Sequence, residues 1–251
     1  MIRKLTAIFC FVLLAFGSAR AQDSLQYNSE KQPTMEDLLR VHEKFEYEVR
    51  YSFFKLGTIY VEVVGDSLYH GVHTKHLLTV IKSNPGIPFV GKEENRYHSL
   101  FVPGDSLPHT EVFWTDNVDE NEFGDTRYIF DRKKNLVYGF DHDEPQDTLA
   151  LQEPASSGHI VFYLSRLFAG AARSFKIPIY IDFKKGYLSA ESGKKVYKRK
   201  YDAFDHPIDT YFMEGNADVN GPFGFSGKFK AWFATDDLRI PVEAQVKVWL
   251  G

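Results

Sequence analysis

The stretches of this chain that invite a chemical reading are short, and each has a defect. Gly224-Phe225-Ser226-Gly227-Lys228 imitates the G-x-S-x-G turn that exposes a nucleophilic serine between a strand and a helix. Its closing glycine is a lysine and the segment opens a strand, so a glycine-eased strand is the simpler account. His70, His73 and His76 have the look of a metal trio. On a strand, however, His73 faces away from the other two, and His70 and His76 stand about 20 Å apart at ~3.3 Å per residue. Only a sharp bend near Gly71 could gather them. Asn216-x-Asp218-x-Asn220-Gly221 copies the first half of a calcium loop. Its first position is an amide, and its twelfth is Gly227 where a bidentate glutamate belongs, so a plain turn is favoured.

The carboxylates do no better. Asp236 and Asp237 are adjacent, and neighbours in an extended chain point apart. At a hairpin turn such residues bond backbone N–H groups instead. Asp141-His142-Asp143-Glu144 precedes Pro145 and reads as a solvated connection. There is no Walker A loop, no G-x-G-x-x-G and no H-E-x-x-H. The one cysteine, Cys10, excludes a disulfide framework and a cysteine-ligated zinc site. The expectation is a protein without catalytic, cofactor-binding or metal-binding residues, and not an enzyme.

Two binding candidates remain. Lys184 and Lys185, with Lys194, Lys195, Lys198, Arg199 and Lys200, flank an expected turn at Ser192-Gly193. The second group is a candidate patch for anionic lipid or polysaccharide head groups, set against an edge strand kept soluble by charge. The other candidate is aromatic, in a chain with 22 Phe, 14 Tyr and 3 Trp. Phe45, Tyr47, Tyr51 and Phe53, with Phe229 and Phe233 from later strands, could line a cavity for an acyl chain. They could equally pack against a helix as an ordinary core.

The elements that must position these residues are mostly strands. From Phe45 the apolar period is two: Phe45, Tyr47, Val49, Tyr51 and Phe53 alternate with Glu46, Glu48, Arg50 and Ser52. Ile59, Val61 and Val63 resume it before an expected turn at Gly65-Asp66. Further strand segments fall at 68–82, 94–102, 109–116, 126–132, 135–141, 175–183, 187–191, 194–203, 207–215, 224–234 and 239–250. Two segments are helical. Pro33 to Lys44 has Thr34 as a cap and Asp37 three residues on. His159 to Phe168 carries a broad apolar face, and Gly170 can end it. A helix this apolar needs a sheet to lie against. The fold class expected is all-β, mainly antiparallel: one strongly curved sheet or open barrel around a buried helix at about 156–169, with a short N-terminal helix.

The first 21 residues differ from the rest. Arg3 and Lys4, an apolar run from Leu5 to Phe16, and Ala19-Arg20-Ala21 follow the order of a secretory signal peptide. The run is too short to span a bilayer, which takes about 20 helical residues. Cleavage after Ala21 leaves a flexible segment at 22–32 and a single β-rich domain at 33–251. It also turns 30 basic against 34 acidic residues into 27 against 34. That balance gives no support for nucleic acid. The expected location is the periplasm or outside the cell, with no membrane-spanning segment.

Several motifs together resemble the exported bacterial family DUF3108, whose function is uncharacterised. They are Phe45-Glu-Tyr-Glu-Val49 leading through Leu56-Gly57, Asp105-Ser-Leu-Pro108, Tyr128-Ile-Phe-Asp131 and Phe162-Tyr-Leu-Ser-Arg166. Near the end, Trp232-Phe-Ala-Thr-Asp-Asp237 is followed by Arg239-Ile-Pro-Val242. Relatives of that family tend to run past the position of Gly251 with another short strand. The resemblance implies a β-rich envelope protein similar to the half-barrel of lipoprotein carriers, and it transfers no catalytic residue. The function expected is that of a non-enzymatic envelope protein binding a lipid, a glycan or a protein partner. The alternatives are a hydrolase or lyase acting on an envelope polymer, and a structural partner-docking module.

Overall fold

The computed structural model describes residues 7–15, 31–87, 92–104, 107–117, 126–219 and 225–250. Its strands, in chain order, are β1 (Ala7–Ala15), β2 (Lys44–Tyr51), β3 (Phe54–Tyr69), β4 (Val72–Ser83), β5 (Glu94–Val102), β6 (His109–Asn117), β7 (Thr126–Asp131) and β8 (Leu136–Asp141). They continue as β9 (Glu144–Ala150), β10 (Ser156–Ser157), β11 (Arg173–Ile181), β12 (Lys184–Arg199), β13 (Ile208–Ala217), β14 (Phe225–Ala234) and β15 (Pro241–Leu250). All belong to one sheet in the order β10 to β15, then β1, then β2 to β9. The chain is thus a meander, and among the described residues only the pairing of β10 with β11 is parallel.

The sheet curls until its two ends approach each other. Ser157 Oγ lies 2.6 Å from Ser99 Oγ on β5 and 3.3 Å from Thr110 Oγ1 on β6. The Thr110 amide donates to the Ala155 carbonyl at 3.1 Å. These buried hydroxyls satisfy one another along a seam that would otherwise leave polar groups unpaired.

The concave side holds α2 (Val161–Arg166), entered through one 3-10 turn at Gly158–Ile160. Ile160, Tyr163, Leu164, Leu167 and Phe168 are all buried there against Phe45, Val61, Leu77, Phe101, Ile177 and Met213. The expected helix is present but shorter, because its first residues pair as β10. Gly170 ends it with φ at +75°, and the Tyr211 ring lies where a Cβ would be. At the N-terminal side, α1 (Met35–Arg40) has the capping box read from Thr34 and Asp37, and buries Met35 and Leu38.

Turn positions differ from expectation in three places. Gly65-Asp66 is a bulge inside β3, and the chain reverses at His70-Gly71 instead. Ser192-Gly193 is likewise a bulge, so β12 is one strand of 16 residues where two were expected. The segment after Asp141 is not a loop: His142 and Asp143, both at positive φ, make a two-residue turn into β9. Such turns need left-handed backbone at both central residues, and His-Asp supplies it without the usual glycine. The expected cleavage site at Ala19-Arg20-Ala21 lies outside the described residues. β1 runs antiparallel between β15 and β2, with Ala7 opposite Leu250 and Ala15 opposite Tyr47.

Candidate functional site

Of the six aromatic residues expected to share one face, Phe45, Tyr47 and Phe233 share one core cluster with Phe229 packed against it, whereas Phe53 leaves that face. Phe45, Tyr47 and Phe233 are buried in the core, where the Phe162 ring of the helical segment packs 5.7 Å from Phe45 and 5.1 Å from Tyr47. The Tyr47 hydroxyl donates to the Pro241 carbonyl at 3.1 Å. Phe53 is 78% exposed and stacks on Phe54, because β2 ends at Tyr51 and the turn breaks the alternation. Tyr51 is half-buried, and the Phe229 ring lies over Gly215. Phe45 and Tyr47 thus pack against the helical segment.

The basic segment is also rearranged. Lys184 and Lys185 start β12 while Lys194 to Arg199 end it, about 30 Å away at ~3.3 Å per residue. Lys198 pairs with Asp209 at 3.1 Å. Arg199 turns inward onto Glu243 at 2.6 Å and covers the Trp232 ring at 4.1 Å. Lys195 lies over the Tyr197 ring at 4.9 Å, and Lys194 and Lys200 are exposed. The five residues are near neighbours in the chain, and all but Arg199 are exposed, Lys198 with Asp209 as its partner.

The motifs set aside on sequence grounds fall as follows. Gly227 takes φ +81° at a bulge in β14, while Gly224 and the Ser226 side chain lie outside the described residues. His70 sits in the β3–β4 turn, apart from His76. Asp218 accepts from the Tyr187 amide, and Asn220 and Gly221 lie outside the described residues. Among the described residues there is no group of three or more His, Cys, Asp or Glu placed to hold an ion. Asp236 and Asp237 part company: Asp237 is exposed, while Asp236 is buried and accepts from the amides of Leu238 and Ile240 at 3.0 and 3.3 Å. Burial pushes the Asp236 carboxyl above its usual range.

The open volume lies elsewhere, over the β11–β14 part of the sheet. Two adjoining depressions of about 620 and 800 Å³ share Ser174, Glu191 and Glu214. Their cations are Arg173, Lys176, Lys195, Lys228 and Lys230, against the two carboxylates. Five positive charges to two make the trough basic in a chain whose net charge is −4, and a local surplus of that sign draws anionic ligands. Register explains the arrangement. Glu191 stands opposite Glu214, and Glu214 stands opposite Lys230, so the lysine offsets the repulsion of the facing carboxylates. Three cations are held in place: Arg173 donates to the Leu167 carbonyl at 2.8 Å, Lys176 lies over Tyr187 at 4.4 Å, and Lys195 lies over Tyr197.

One wall is aromatic, with Tyr197 meeting Phe212 edge-on at 6.0 Å and Phe212 meeting Trp232 at 5.3 Å. The 200–207 connection backs this wall, burying Tyr201 and Phe204 against Trp232 and Val242. Sequence reasoning found Lys195 but missed Glu191, Glu214, Lys228 and Lys230. They meet only through the register of β12, β13 and β14, which no local pattern in the sequence carries.

The molecule is therefore defined as an antiparallel sheet curled into a half-barrel around one helix. No family model matches the chain, and no curated protein matches it. It is similar to the crystal structure of a β-barrel-like protein of the domain of unknown function DUF1849 from Brucella abortus, at 7% identity and a TM-score of 0.41. That similarity covers 99% of this chain and 97% of the other.

Proposed function

We propose that this chain is an exported, non-enzymatic protein of the cell envelope, of the DUF3108 kind, which holds an anionic glycan in the trough over β11–β14. One observation carries the reading: α2 fills the concave side, and the open volume lies instead along a basic, partly aromatic part of the sheet. Sugars suit such a surface, because Ser, Asn and Lys side chains meet hydroxyl and carboxylate groups while ring faces and edges meet the C–H side of each residue. The acyl-carrier version loses its support, since the rings that would line the cavity pack on Phe162. A hydrolytic version would need two carboxyl groups facing one cleft, and the adjacent Asp236 and Asp237 are divided between interior and surface.

Isothermal titration with an acidic envelope polysaccharide tests the reading. Binding should weaken as salt is raised, because the pairs are exposed and screened. The charge-reversed variant Lys195→Glu/Lys230→Glu should lose at least ten-fold in affinity. Equal binding by that variant, or no binding by the parent protein, overturns it. The export half of the proposal has its own test: N-terminal sequencing of the protein recovered from the envelope should begin at Gln22, and an intact Met1 removes it. Cleavage there would carry β1 away and free the facing edges of β15 and β2.

A further inference from the structure

We propose that His76 and His98 form a copper(II) site on the convex side of the sheet, independent of the trough. The histidines come from neighbouring strands, β4 and β5, and their side chains lie on the face opposite the buried Leu77 and Ser99. His76 Nε2 stands 2.9 Å from His98 Nδ1. Two imidazole nitrogens bound to one ion at ~2.05 Å and 90° are separated by about 2.9 Å, whereas a tetrahedral angle requires about 3.3 Å. A right angle is the preference of copper(II) and nickel(II), and copper(II) binds the more tightly of the two. The two nitrogens share a hydrogen bond at this distance, and a tetragonal ion could replace the shared proton without moving them apart.

The surroundings hold the rings as a ligand pair needs. Trp114 stacks on His98 at 4.7 Å with the planes 3° apart, and on His76 at 5.6 Å. Asp116 Oδ2 stands 3.0 Å from His98 Nε2. The contact lacks hydrogen-bond geometry, and His98 Nε2 is a buried nitrogen without a hydrogen-bond partner, but the negative charge beside it favours a proton on Nε2 and leaves Nδ1 with its lone pair, the role carboxylates play behind metal-bound histidines. His76 needs only to move its proton from Nε2 to Nδ1 to present the second lone pair, so binding releases no net proton.

The test is copper(II) titration of the untagged chain. One equivalent should quench Trp114 fluorescence, and the electron paramagnetic resonance spectrum should show coupling to two imidazole nitrogens. His76→Ala and His98→Ala should each weaken binding at least ten-fold, and Asp116→Asn should weaken it about ten-fold. His73→Ala, on the same strand, should bind as the parent does. Unchanged binding in the His76→Ala/His98→Ala variant, with a parent-like circular dichroism spectrum, overturns the proposal. So does a parent spectrum lacking two nitrogen donors, whatever the variants' folding.

Discussion

Arg166 is the most informative residue to perturb, because the core encloses it completely. Its guanidinium donates to both carboxylate oxygens of Glu43, at 2.7 and 3.0 Å, and to the Leu238 carbonyl at 2.8 Å. The rings of Phe45 and Tyr163 lie 5.4 and 5.5 Å from it. One side chain thus ties α2, the segment before β2 and the β14–β15 turn together. Methionine at 166 keeps most of the length and leaves the buried Glu43 carboxylate without its cation. Removing one partner of a buried pair costs about 3–5 kcal/mol. At about 2–4 °C per kcal/mol for a chain of this size, the midpoint should fall by roughly 6–20 °C. Arg166→Met/Glu43→Met removes both charges, and buried pairs replaced by apolar groups are often neutral or better. The double variant should therefore recover at least ~2 kcal/mol of the single-variant loss. Urea unfolding followed by tryptophan fluorescence measures all three proteins. A loss below ~1 kcal/mol for Arg166→Met, or a double variant no more stable than Arg166→Met, would refute the account.

Two further perturbations separate causes that the fold entangles. Burial pushes His159 down to about 3, and its Nε2 has no hydrogen-bond partner. Between that value and the unfolded ~6.5 the unfolded chain binds the extra proton, so stability should fall with pH below 6.5, by up to ~1.4 kcal/mol per pH unit. His159→Phe should flatten that slope in urea titrations at pH 7 and 4.5, and an unchanged acid loss would show the reasoning wrong. Gly170→Ala meets both a positive φ and the Tyr211 ring, whereas Gly71→Ala meets a positive φ with nothing within 4 Å. Both should pay the backbone strain of about 1–2 kcal/mol, and Gly170→Ala should lose about 1–3 kcal/mol more for the displaced ring. Equal unfolding midpoints for the two variants would remove the ring from the explanation.

What could be read from the residues, and what could not, follows one physical line. Alternation along β2 and the broad apolar stripe on the segment before Gly170 are local patterns, and both appear where expected. The Thr34–Asp37 capping box is local too, and it forms as read. Turns were misplaced where the residue types misled. His142-Asp143 and Asp182-Phe183 take left-handed backbone without glycine, while Gly65 and Gly193 lie within strands at bulges. β9 was missed because six of its seven residues are exposed and no alternation marks it. Pairings between distant strands leave no trace in either pattern. Nothing near Glu191 indicates Glu214 or Lys230, and nothing near His76 indicates His98.

Those non-local pairings decide where function can reside. A curled sheet offers two sides, and on this one the concave side is spent on stability: α2, the Arg166–Glu43 pair and the aromatic rings of β2 occupy it together. A ligand admitted there would have to displace Phe162 from two rings and expose a buried ion pair, at a cost comparable with the whole stability of a domain, about 5–15 kcal/mol. Open volume and free charge over β11–β14, and the histidine pair on the convex face, carry no such penalty. The same crossing of strands that buries the core thus sets lysines beside carboxylates and one histidine beside another, so both candidate sites arise from sheet register more than from any contiguous motif.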